Sequence, residues 1–197
     1  MHPRAVFRFT PEQYLDFEVK SVEKHEFFDG YILAMAGGNA RHSATCGRAI
    51  IALAASLRGR PCAVLTSDMR VLVEATGLYT YPDVSVACPP KVIGKEEAST
   101  LVNPTLLVEV LSKDTAKYDR GEKLEHYQRV ASVQGVLLVD IPARTVEVVA
   151  RAAEGWTRAI YGLADAFALP GLDATVAVAD FFDGIDLVPE APVTAES

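Results

Sequence analysis

At 197 residues, half of them hydrophobic, the chain is long enough to fill one proper core, and two domains would both be small. No apolar run approaches the ~18 residues needed to span a bilayer, and residues 1–6 lack the apolar segment and cleavage site of a signal peptide, so a cytoplasmic protein without membrane contact is expected. The net charge of −7 excludes a strongly basic nucleic-acid binder, but its distribution is uneven: the ten acids and three arginines from Asp140 onward account for all of it, leaving residues 1–139 neutral.

In chain order, Thr10-Pro11-Glu12-Gln13 has the N-cap, first-turn proline and third-position Gln of a capping box, opening a short helix to about Phe17. Asp29-Gly30, between 26–28 and 31–33, predicts a hairpin closed by a two-residue turn. After Gly37-Gly38-Asn39, apolar residues at helical spacing predict a helix over 41–57. Strands are predicted at 63–66, 69–73, 81–87 and 105–111, an amphipathic helix between 114 and 130, and strands at 135–139 and 145–150. Further strands and a short helix near 179–182 complete an α/β (α+β) domain over 1–187, with 188–197 as a tail.

Cys46, Cys62 and Cys88 are odd in number and far apart, so no disulfide framework is indicated and all three are expected reduced in the core. His2, His25, His42 and His126 form no His-x-x-x-His or comparable ligand pair, so a zinc enzyme is not expected.

Two predicted strands each keep one acid in an apolar run: Asp83 in Tyr81-Pro82-Asp83-Val84-Ser85-Val86, and Glu109 in Leu106-Leu107-Val108-Glu109-Val110-Leu111. An ionised carboxylate in apolar surroundings is costly unless it is paired, protonated or coordinating a metal. The two acids therefore suggest a divalent cation between them. Asp83 also reads as a strand-end residue capping a turn after proline, whereas Glu109, flanked by Leu and Val, has few such explanations. His42 and Arg41, at the start of the predicted helix 41–57, are candidate phosphate contacts, since helix N-termini favour anions. Arg48, seven residues on, shares a face with Arg41 and would add to a thin electrostatic footprint.

The ordered set Phe9-Thr10-x-Glu12-x-Tyr14-Leu15, His25-Glu26-x-x-Asp29-Gly30, Arg41-His42, Pro82-Asp83-Val84, Val108-Glu109-Val110-Leu111-Ser112 and Gly121-Glu122-Lys123-Leu124-x-x-Tyr127 resembles the PD-(D/E)XK nuclease superfamily, and within it the Uma-type family of bacterial endonucleases. The resemblance implies a restriction-endonuclease-like core, a central mixed β-sheet flanked by helices, with an N-terminal hairpin extension. It implies an endonuclease acting on DNA with Mg2+ or Mn2+, which neutralises phosphoryl charge and acidifies water. Asp83 and Glu109 would be the principal ligands, the Val110 carbonyl a third and Glu26 a further acid; hard cations prefer such oxygens.

The superfamily's lysine two residues after the second acid is here Leu111. Lys113 lies past the predicted strand end. Lys123, which matches a lysine of the Uma-type pattern, is favoured to orient the attacking water, and its bland reading is an i, i+4 ion pair with Asp119. Two other readings stay open: a diverged nuclease-fold protein that binds or regulates without cleaving, and a hydrolase using paired carboxylates as acid and base, which the low aromatic content disfavours. Nucleases that cut both strands commonly pair, so a homodimer or higher homo-oligomer is also considered.

Overall fold

A computed structural model describes residues 8–35 and 37–188. The tail expected over 188–197 lies, apart from Val188, outside the described residues.

Helix α1 (Pro11–Glu18) opens with the anticipated capping box: the Thr10 hydroxyl accepts from the Gln13 amide, and the Gln13 side chain accepts from the Thr10 amide. Strands β1 (His25–Phe28) and β2 (Tyr31–Ala34) meet at Asp29 and Gly30, both with positive φ (48° and 82°), as a two-residue hairpin turn requires. Helix α2 (Ala40–Ser56) is capped by Asn39, which accepts from the His42 amide at 2.9 Å. Strands β3 (Ala63–Thr66), β4 (Arg70–Val73), β5 (Leu78–Thr80), β6 (Val84–Ala87), β7 (Val92–Ile93), β8 (Thr100–Leu101) and β9 (Leu106–Leu111) follow. Next come helices α3 (Ala116–Arg120) and α4 (Glu122–Gln128), then strands β10 (Gly135–Asp140), β11 (Thr145–Arg151), β12 (Trp156–Gly162), β13 (Ala166–Ala168) and β14 (Thr175–Ala177). Two 3-10 turns, Val178–Phe181 and Ile185–Leu187, end the described chain.

The central sheet has the order β12-β11-β10-β9-β6-β3, with β9 and β10 parallel and every other pair antiparallel. All six residues of β9 are buried, the property of a strand covered on both faces. Leu106, Val108 and Val110 face α2 and Phe181, whereas Leu107 and Leu111 face Leu124 and Tyr127 of α4. The period of two thus sends Glu109 to the α4 side.

The expected hairpin extension is the start of a second six-stranded sheet, β2-β1-β5-β4-β8-β7. Tyr14 of α1 closes it, stacking on Phe27 at 5.1 Å between ring centroids. The strand expected over 81–87 begins only at Val84, so Pro82-Asp83 forms the turn that leads into it. The helix expected over 114–130 is two helices, because the Gly121 backbone (ψ −107°) leaves the helical path; a Cβ there would come within 3.0 Å of the Lys117 carbonyl oxygen. The expectation of three reduced cysteines is corrected as well. Cys62 and Cys88 are joined in a disulfide, because β3 and β6 pair with Ala63 opposite Ala87 and so place the cysteines one residue farther on against each other. A separation of 26 residues could not reveal that pairing. Cys46 remains a half-buried thiol.

Candidate active site

One pocket of about 350 Å3 lies where the two sheets approach α2, α3 and α4, and its lining includes Glu26, His42, Asp83, Glu109, Asp119 and Lys123. Glu109 comes from the middle of β9 and Asp83 from the turn before β6. Because Val84 pairs with Val108, that turn lies beside the second half of β9, and Asp83 Oδ2 accepts from the Val110 amide at 2.7 Å. Glu26 comes from β1 of the other sheet. The Thr80 hydroxyl donates to its Oε1 and the Tyr118 hydroxyl to its Oε2, the latter at 3.0 Å.

Lys123 joins these elements. Its Nζ lies 3.0 Å from Glu109 Oε1, 3.4 Å from Glu26 Oε1 and 3.8 Å from Asp119 Oδ1. Tyr127, one turn on, donates to Glu109 Oε1 at 2.5 Å. Lys123 thus stands beside Glu109 although Leu111 is the residue on its strand, and Leu111 packs into the apolar core with Leu124 and Tyr127. Glu26, Glu109, Asp119 and Lys123 are all less than 10% exposed, so their charges act on each other with little screening by water.

The titration of the site follows from that burial. Burial pushes the Glu109 carboxyl up to about 8, opposed by the Lys123 ammonium and reinforced by Asp83 and Asp119. Burial also raises Asp119, again against Lys123. For Lys123, burial works to remove the charge, but Glu109, Tyr127, Glu26 and Asp119 outweigh it and hold the ammonium well above its ordinary range. The two partners pull in opposite senses, since Lys123 gains from an ionised Glu109 while burial favours the neutral acid. The charged lysine is the firmer of the two, because Glu26 and Asp119 face it as well. The hydrogen bond to Asp83 raises the His42 imidazole, with burial opposing.

Four carboxylates therefore face one ammonium and one imidazole, an imbalance of charge that attracts a cation. Hydrogen bonds among the described residues fall on Asp83 Oδ2 and Glu109 Oε1, which leaves one oxygen of each acid for a metal. The donor set suits a hard divalent ion.

The other sequence candidates separate. His42 is in the pocket, with Nε2 3.3 Å from Asp83 Oδ2. Arg41 is not among the lining residues; its Nε donates to the Val188 carbonyl at 2.8 Å. Arg48 pairs with Asp183 at 2.9 Å, His25 with Glu18 at 3.0 Å, and Lys113 is exposed beyond β9. Sequence reasoning passed over Tyr118 and took Asp119 only as an ion-pair partner. His42 and Cys46, four apart on one helix, match no histidine-to-histidine ligand spacing, yet the structure gathers them with Asp83.

A mixed sheet flanked by helices that presents one acid before β6 and another within β9 is the restriction-endonuclease-like arrangement, here with the lysine brought by α4 in place of the strand position held by Leu111. The chain belongs to the Uma2 family, described as "Putative restriction endonuclease", whose sequence model matches residues 11–179. Two uncharacterized proteins of Synechocystis are similar. The protein slr1290 is 35% identical over 93% of this chain and 96% of its own length, and sll1609 is 31% identical over 66% and 74%. Among solved structures, a putative nuclease of the DUF820 group from Anabaena variabilis superposes with a TM-score of 0.67 at 20% identity, covering 87% of this chain and 98% of its own.

Proposed function

We propose that the protein is a metal-dependent endonuclease that hydrolyses phosphodiester bonds of DNA with water as nucleophile and Mg2+ or Mn2+ as cofactor. The observation that carries this reading is the Lys123 ammonium held 3.0 Å from the buried Glu109 in a pocket with three more acids. Family membership points the same way. Asp83 and Glu109 would hold the cation through their remaining oxygens, with the Val110 carbonyl and Glu26 completing the protein donors. When bound, the cation supplies charge neutralisation at phosphorus and acidifies water.

The chain's own groups do the rest. The Val110 amide fixes the rotation of Asp83. Tyr127 and Lys123 hold Glu109, and Thr80 and Tyr118 hold Glu26. Lys123 carries a fixed positive charge beside Glu109 that would stabilise negative charge on the attacking water or a phosphoryl oxygen. His42, beside Asp83 at the α2 N-terminus, is placed to meet a phosphate. Cleavage of both strands would call for two copies, so a homodimer on DNA is part of the proposal.

Incubation of the purified protein with supercoiled plasmid and Mg2+ or Mn2+ tests this. Nicking or linearisation is expected, abolished by chelator, by Asp83→Asn and by Lys123→Ala; cleavage that survives Asp83→Asn overturns the site. The second reading, a module that binds without cutting, is favoured by the three acids that already surround Lys123. Calorimetric metal binding without any cleavage would select it.

A further inference from the structure

We propose that His42, Cys46 and Asp83 form a second metal site, selective for zinc or another borderline cation, that shares Asp83 with the hard-cation site. His42 and Cys46 lie four residues apart on α2 and so project on the same side of the helix. Asp83 reaches the same point from the turn before β6. The imidazole lies between the other two side chains, its Nε2 3.3 Å from Asp83 Oδ2 and its Nδ1 3.6 Å from the Cys46 sulfur, and with a single ring nitrogen as ligand one donor atom from each residue lies within 4.8 Å of the others. Donors around a tetrahedral zinc stand about 3.5 Å apart, a difference that side-chain torsions span.

The surroundings fit a metal. All three residues are partly buried, so an ion could enter and keep a position for water. Gly38 packs against the imidazole so closely that a Cβ there would collide with His42 Nδ1; the backbone therefore fixes the ring. The donor chemistry separates the two sites. A thiolate and an imidazole select zinc or cobalt over magnesium, whereas the oxygens of Asp83 and Glu109 select the hard ion. An ion held by Cys46 and His42 takes Asp83 and displaces the thiol proton. The softer metal therefore antagonises the harder one, a consequence that rests on the nuclease reading, although the site itself does not.

The test uses the whole protein, freed of metal by chelator and kept without reductant so that the Cys62–Cys88 bond stays closed. Titration with cobalt is expected to give thiolate-to-cobalt absorption that saturates at one equivalent and is displaced by zinc. That absorption vanishes in Cys46→Ser, and His42→Gln weakens zinc binding by more than the ~10–100-fold that loss of an outer partner costs. Glu109→Gln keeps the absorption, while magnesium raises the apparent zinc Kd in wild type and much less in that variant. No thiolate band from protein that is folded by circular dichroism, or a band that persists in Cys46→Ser, overturns the site. Plasmid cleavage without the band would defeat this site alone, and a band without cleavage would defeat the nuclease reading alone.

Discussion

Lys123 is the residue whose loss should be felt most. Replacing it with methionine leaves Glu26, Glu109 and Asp119 buried without their shared counter-charge, and breaking a buried pair in this way costs roughly 3–5 kcal/mol. Urea unfolding of Lys123→Met in chelator should show a loss of that order, partly restored by Mg2+. Ser85 on β6 is the opposite case. Its buried hydroxyl has no hydrogen-bond partner among the described residues, so Ser85→Ala should be neutral or stabilising by up to about 1 kcal/mol. A third prediction concerns pH. Burial lowers the His126 imidazole below its ordinary 6.5, so the unfolded chain binds the proton more readily than the folded one. Its contribution is therefore present above pH 6.5 and lost as pH falls through the folded value. Wild type should lose stability on acidification below that point faster than His126→Asn in parallel thermal melts. At this scale the sequence was informative where chemistry was conspicuous: Glu109 is an acid in an unbroken apolar strand. Lys123 was reached only through family resemblance, because a lysine four residues from an aspartate on a helix ordinarily means a solvated pair.

Elements built by local rules were legible. The Thr10 capping box and the Asp29-Gly30 turn stand where neighbouring residues dictate them. Elements built by distant pairing were not: β5, β7 and β8 are only two or three residues long and have too little periodicity to detect, so half of the second sheet went unread. Gly121 illustrates a different difficulty, since the apolar pattern runs on through 114–130 while the backbone does not. The Cys62–Cys88 bond depends on the register of β3 against β6. It closes a separation of 26 residues, for which chain-entropy reasoning gives about 3–4 kcal/mol. Cys88→Ser, or reduction of the wild type, should lower the denaturant midpoint accordingly, with intact mass reporting the thiol state. Cytosolic thiols are generally kept reduced, so this comparison also bears on where the protein works.

For the whole molecule, the surplus of acids toward the C-terminus has a structural use. Asp173 and Asp183 pair with Arg60 and Arg48, and Asp186 with Arg144, so Arg48, which helical spacing offered to a nucleic acid, is already engaged. If the proposed DNA substrate binds, its affinity should accordingly depend only weakly on salt, with a slope of log K against log salt well short of the roughly −10 of a protein making many phosphate contacts; fluorescence anisotropy in chelator would measure it. No helix among the described residues is long and apolar enough to cross a membrane. The position of the lysine bears on the molecule's mechanical tolerance. Were the ammonium on β9 with Glu109, their spacing would be fixed by strand geometry and would last as long as the sheet. With Leu111 on the strand and Lys123 on α4, the spacing is set by how Leu124 and Tyr127 seat a seven-residue helix on that sheet. Loosening that seat with Leu124→Ala, or with mild denaturant, should extinguish the proposed plasmid cleavage while far-ultraviolet dichroism still reports an intact sheet, so that the site fails before the fold does.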